Sequence, residues 1–150
     1  MVDSVTTSFW RAIASGDIEQ AVFILGQATT SSLTISTRAG TGAVSGLLKL
    51  IFDKFPATAQ QCDTAAQNVS KVFQAVGKNP QIYRFRDHYN AQFFFLDPNN
   101  NRQAIFSSRG YHVIVELEGK VFDALTGPEG MLWKDYIKKL NSLEIYPVFK

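Results

Sequence analysis

Two kinds of chemically versatile side chain are scarce in this sequence: it has one cysteine, Cys62, and two histidines, His88 and His112. A single cysteine excludes an internal disulfide framework and any multi-cysteine zinc or iron–sulfur site. Two histidines leave little for a histidine-rich metal centre, so neither a metal nor another cofactor is expected. Glycine and proline number 10 and 5 in 150 residues, an ordinary share that excludes a collagen-like or low-complexity chain. The net charge is only +2, too mild to point to nucleic acid. No stretch reaches the roughly 20 apolar residues of a membrane span. The longest candidate, Gly46 to Phe55, is broken by Lys49, Asp53 and Lys54. Met1 to Phe9 hold Asp3 and no basic cluster, so they do not read as a secretory signal.

What is present is a chain that can bury a core without staples. It is 45% hydrophobic and 19% charged over 150 residues, which reads as one compact domain spanning 1–150. A soluble domain with a free thiol suits a reducing compartment, or delivery into one.

The front third carries a helical period. Asp17 is a candidate N-cap, and Ile18, Ala21, Val22 and Leu25 follow at helical spacing. Residues 27–42, rich in Ser, Thr and Gly, read as a polar connector and the best place for a flexible segment. Thr41 is positioned to cap a second helix, whose stripe is Val44, Leu47, Leu48, Ile51, Phe52 and Phe55. Pro56 stops it. A third helix is expected over about Thr58 to Val76, ended by Gly77. After Pro80 the period falls to two. Strands are expected near Ile82–Arg86, Gln92–Leu96, Gln103–Phe106, Tyr111–Leu117, Lys120–Asp123 and Leu143–Phe149, with a turn over Asp97–Asn101 and a short helix over Leu132–Leu140. Helices first and an antiparallel sheet second make an α+β layout, with a helical front part over 1–57 and a helix-plus-sheet part over 58–150.

Cys62 falls in the first turn or so of the third helix and on its apolar stripe, which is expected to face the sheet. A helix N-terminus carries partial positive charge and unpaired N–H groups. Both favour a thiolate, and the same N–H groups can hold an oxyanion. The plainer alternative is a small packed core residue.

The second candidate constellation is a hairpin, Tyr111 to Asp123, turning at Glu118-Gly119. With a two-residue loop, Leu117 faces Lys120, Val115 faces Phe122 and Ile114 faces Asp123. His112, two positions from Ile114, then shares a face with Asp123 as a diagonal neighbour. Tyr111, Val113, Val115, Leu117 and Phe122 take the other face. Only an odd loop or a bulge would break this parity. The register therefore predicts a His–Asp pair, which is what a thiol needs beside it for proton transfer and orientation. Here the alternative is a strand histidine satisfied by backbone. His88, in Arg86-Asp87-His88-Tyr89-Asn90, reads as an exposed loop residue.

A cysteine opening a helix, then Tyr111-His112-Val113 in a strand, then Gly119-Lys120-Val121-Phe122-Asp123 and Thr126-Gly127, resembles the papain-fold toxin domains. These are small papain-like cysteine peptidase domains of bacterial polymorphic toxins. The likeness covers roughly residues 58–128. It implies a papain-like fold with the nucleophile at a helix N-terminus. Cys62 would be the nucleophile, His112 the general base and acid, and Asp123 the residue that orients the histidine. A glutamine upstream of the cysteine would complete the oxyanion hole; Gln61, or else Gln60, stands there, each closer to the cysteine than in papain. Asp63-Thr64-Ala65 departs from the second cysteine or aromatic of many relatives. Asp63 would oppose a thiolate if it pointed into the site, and is expected to face solvent.

The resemblance further implies a protein substrate, a cognate immunity protein as partner, possible carriage on a larger protein, and delivery into the cytoplasm of a target bacterium. Two other readings stand beside the peptidase. One keeps the triad and changes the acceptor, as in a glutamine deamidase or transglutaminase. The other is a non-catalytic interaction domain in which Cys62 is merely packed and Arg84, Arg86, Arg102 and Arg109 serve a partner surface. Phe93, Phe94 and Phe95 would line a groove or an immunity interface on one face, or be buried on both. Trp133 borders the site or packs in its helix.

Overall fold

The computed structural model describes residues 4–56, 61–86, 93–96, 102–105, 111–139 and 144–148. Four helices come first: α1 (Ser4–Ala14), α2 (Ile18–Thr30), α3 (Ala43–Lys54) and α4 (Cys62–Ala75). Strands β1 (Gln81–Arg86), β2 (Phe93–Leu96), β3 (Arg102–Ile105), β4 (Tyr111–Leu117), β5 (Lys120–Phe122) and β6 (Met131–Leu132) follow. A short α5 (Trp133–Lys139) and β7 (Glu144–Val148) complete the order. The architecture is α+β. A five-stranded sheet of order β6-β5-β4-β1-β7 is antiparallel throughout, and β2 pairs β3 in a separate two-stranded sheet. Pro147 sits on the edge strand β7, where a missing N–H costs least.

The helices follow their caps and stripes. Asp17 accepts from Gln20 N at 3.1 Å and starts α2. That helix runs on to Thr30, so the polar segment begins inside it. Thr29 and Thr30 donate to Leu25 O and Gly26 O, four residues back, so both hydroxyls find partners within the last turns of the helix. Beyond it, the segment expected to be flexible is tethered: Ile35 is buried, Trp10 Nε1 donates to Ser36 O, and Ser36 N donates to Thr6 Oγ1. Thr41 is not the cap of α3. It bridges to Arg38, and Gly42 takes the N-cap place. Phe55, before Pro56, leaves the helical region and ends α3.

Gln61 has non-helical dihedrals and is the N-cap of α4, so this helix opens at Cys62 rather than near residue 58. At the far end Gly77 takes φ +80°. Its N–H donates to Gln74 O and that of Lys78 to Phe73 O, a Schellman closure that needs glycine there. Leu132, expected in the last helix, lies instead in β6, paired with Lys120.

The α4 helix packs on β4 and carries α2 and α3 on its other flank. Between them lies the main core, which includes Phe9, Leu47, Ile51, Val69, Val72 and Val115. A smaller cluster of Phe85, Ile114, Val121 and Tyr136 sits under α5. The two clusters use alternate residues of β4, as the period of two requires: Val113, Val115 and Leu117 face the helices, and Ile114 faces α5.

Candidate functional site

The hairpin β4–β5 sets the site. Glu118 and Gly119 both have positive φ, 54° and 84°, the two-residue turn that matches strand twist. The resulting pairs are Leu117 with Lys120, Glu116 with Val121 and Val115 with Phe122, as the turn predicted. His112 and Asp123 therefore share a face, and His112 Nε2 stands 2.9 Å from Asp123 Oδ2. Both are buried, at 2% and 5% exposure.

Asp123 is held from four directions. Its Oδ1 accepts from Leu125 N at 2.8 Å and Thr126 N at 2.9 Å. Its Oδ2 accepts from Tyr136 Oη as well as meeting the imidazole. Thr126 Oγ1 accepts from Asp123 N in return, so the chain turns tightly around the carboxylate. A buried carboxylate requires this saturation, because each unfilled acceptor would cost desolvation energy.

With Nε2 committed to Asp123, Nδ1 is the nitrogen left. It is buried and makes no full hydrogen bond. Cys62 lies close enough to act on the ring both as a hydrogen-bond partner and as a charge. The contact is thus near a hydrogen bond without completing one, as is common before a substrate is seated. Burial opposes the imidazolium. The hydrogen bond to Asp123 and the close approach of the Cys62 thiol, with the charges of both, outweigh it and raise the His112 pKa to about 9. Burial and the Asp123 carboxylate push the Tyr136 phenol the same way, well above its ordinary value.

Cys62 is half-buried at the first position of α4. Gln61 is exposed and its side chain makes no capping bond, so it does not cover the first N–H groups of the helix. Asp63, expected to face solvent, is half-buried in the first turn. Phe52, Phe55, Ala65, Ala66 and Phe122 close an apolar pocket around the thiol and imidazole. Its free volume is about 10 Å³, room for no more than one water. A groove of about 700 Å³ lies at the other end of α4, around Phe23, Leu33 and Ala75. Its described lining has no titratable side chain, so it brings together no candidate catalytic groups.

Gln60, His88 and Arg109, with the side chains of Arg86, Phe93, Phe94, Phe95 and Arg102 and the turn over 97–101, lie outside the described residues. Trp133 packs edge-on against Tyr83 and Phe85, at 5.1 and 5.8 Å between ring centroids. It is a packed helix residue rather than a border of the site. Tyr136 is the site residue that sequence reasoning missed; a tyrosine at the apolar period of a short helix is a signal only in that its hydroxyl must find a partner. Among the described residues no cluster of ligands could hold a metal ion, and no helix is long and apolar enough to cross a membrane. Compared with protein families, curated proteins and solved structures, the chain matches none.

Proposed function

We propose that this chain is a cysteine peptidase domain of the papain-like kind, working through Cys62, His112 and Asp123. The observation that carries the reading is the division of the His112 ring: Nε2 on a saturated carboxylate, Nδ1 buried without a partner, and a thiol at a helix N-terminus close enough to act on the same ring. Packing alone does not require a buried histidine to leave one nitrogen short of a partner.

The chemistry follows from that division. The thiol proton resides on Nδ1, and the imidazolium is held by Asp123. The thiolate attacks the substrate carbonyl carbon, and the resulting oxyanion meets the backbone N–H groups at the start of α4. His112 gives its proton to the leaving amine as the C–N bond breaks, which leaves a thioester on Cys62. Part of the upward pull on the imidazole comes from Cys62, and acylation removes it. The neutral ring then takes a proton from water, whose oxygen attacks the thioester carbonyl; the C–S bond breaks, the carboxylic acid leaves, and the thiolate is again paired with the imidazolium. In this reading the substrate is a protein inside a target bacterium, the domain arrives on a larger carrier, and a cognate immunity protein holds it in check. The likeness to papain-fold toxin domains supports that setting.

The test is the pH dependence of Cys62 alkylation by iodoacetamide, with His112→Ala alongside. Fast alkylation near about pH 6, slowed at least tenfold in His112→Ala, is expected of the ion pair. A thiol that reacts only in denaturant, or that ignores His112, overturns the reading in favour of an interaction domain. Mass analysis of treated bacterial proteins then separates a cut chain from an intact chain in which an amide NH2 has become OH, the deamidase outcome.

A further inference from the structure

The proposed triad does not use Tyr136, although this is the most deeply buried polar group beside it. Its exposure is 0%, it comes from α5, and it packs in the small cluster with Phe85, Ile114 and Val121. Its ring lies 5.8 Å from that of Phe85, which fixes the direction of the hydroxyl. That hydroxyl donates to Asp123 Oδ2, the same oxygen that meets His112 Nε2. The other carboxylate oxygen is taken by two backbone N–H groups. Loop backbone and α5 thus fix the two ends of the carboxylate separately.

We propose that Tyr136 is a positioning residue of the Cys62–His112–Asp123 site: it aims Oδ2 of Asp123 at His112 Nε2 and shares that oxygen's charge with the imidazole. The inference rests on the reading of these three residues as a thiol–imidazole–carboxylate site. A tyrosine needed only for packing would not have to point its hydroxyl at the one oxygen the histidine uses. The donor also weakens the pull of Asp123 on the ring, because the carboxylate oxygen divides its charge between two partners. The described titratable groups that act on the imidazole are Cys62 from α4 and Asp123 after β5; Tyr136 from α5 reaches it through Asp123.

Tyr136→Phe tests this, with two readouts on one folded protein. Histidine-selective nitrogen NMR follows the His112 titration and tautomer, and iodoacetamide alkylation follows Cys62. In Tyr136→Phe the charge of Oδ2 is undivided, so the His112 titration is expected to rise by on the order of one pH unit. If Tyr136→Phe fails to fold, 3-fluorotyrosine in place of all tyrosines keeps the packing and makes the hydroxyl a better donor. The shift is then downward. An unmoved His112 titration in a folded variant, with alkylation of the parent still dependent on His112, overturns the role of Tyr136 and leaves the thiol–imidazole reading intact. A parent protein whose Cys62 ignores His112 overturns that reading, and this proposal with it.

Discussion

The cluster between the helices and the sheet is built of apolar side chains, with the small hydroxyl of Ser70 buried beside them, whereas the cluster under α5 contains Tyr136, whose hydroxyl reaches the buried pair His112 and Asp123. Both are closed to water, yet they are held by different rules. In the large cluster any side chain of the right size and shape contributes, because burial of apolar area has no direction. In the small one each oxygen and nitrogen needs a partner at a set angle, and one missing partner costs more than one missing methyl group. The small cluster satisfies every such atom of Asp123 and leaves His112 Nδ1 short. An otherwise saturated network with one opening, on a ring that the Cys62 thiol also approaches, is the contrast the proposed chemistry depends on.

The change that breaks this contrast most severely is Asp123→Asn. The N–H groups of Leu125 and Thr126 keep the amide carbonyl where Oδ1 now stands, so the NH2 group must face His112 Nε2. The imidazole then has to accept at Nε2 and carry its proton on Nδ1, the nitrogen meant to receive the thiol proton. If the proposed peptidase reading holds, cleavage is expected to fall on the order of 10³- to 10⁴-fold. A variant that folds and keeps activity within tenfold of the parent would show that Asp123 serves structure alone.

The pH dependence of stability sharpens the comparison. The folded protein holds the His112 proton up to about pH 9, against 6.5 for a free histidine. Its contribution is thus complete below pH 6.5 and is lost as pH rises through about 9. Relative to His112→Gln, which has no such proton, the parent is expected to lose on the order of 2 kcal/mol across that span. Urea unfolding at several pH values measures it. Parallel curves for the two proteins, or a parent that gains stability as pH rises, would contradict the burial balance described for the ring.

The same contrast explains what could be read from the sequence. The stripe of Leu47, Leu48, Ile51 and Phe52 is a matter of helical period, and these residues are buried in α3. The His112–Asp123 pairing is also local, since a two-residue turn and a period of two determine it. Other features depend on where the chain returns. Nothing near Tyr136 indicates that α5 comes back over β5 to meet Asp123, 13 residues earlier, by way of β6. The polar segment after α2 misleads for the same reason: its composition is that of a loop, while its attachments, Trp10 to Ser36 and Thr6 to Ser36, span 26 and 30 residues. The opening of α4 at Cys62 follows from the dihedrals of Gln61, which no local pattern announces.

The smallest expected effect tests whether the two clusters are separable. Gly46 lies in α3 where the ring of Trp10 crosses it. A Cβ there would stand 2.7 Å from that ring, which the hydrogen bond to Ser36 O holds in place. Gly46→Ala gains up to about 1 kcal/mol in helix propensity. Overpacking costs about 1–3 kcal/mol, so the net result is a loss of about 1 kcal/mol. Phe52 and Phe55, which wall the thiol pocket, lie further along and just beyond the same helix. Rigid α3 would carry any displacement to them, whereas a local adjustment of Trp10 would stop it. A lowered urea midpoint with an unchanged pH profile of Cys62 alkylation is the result expected of separable clusters. A profile that moves along with the midpoint would mean that the apolar core sets the thiol–imidazole geometry as directly as Asp123 does.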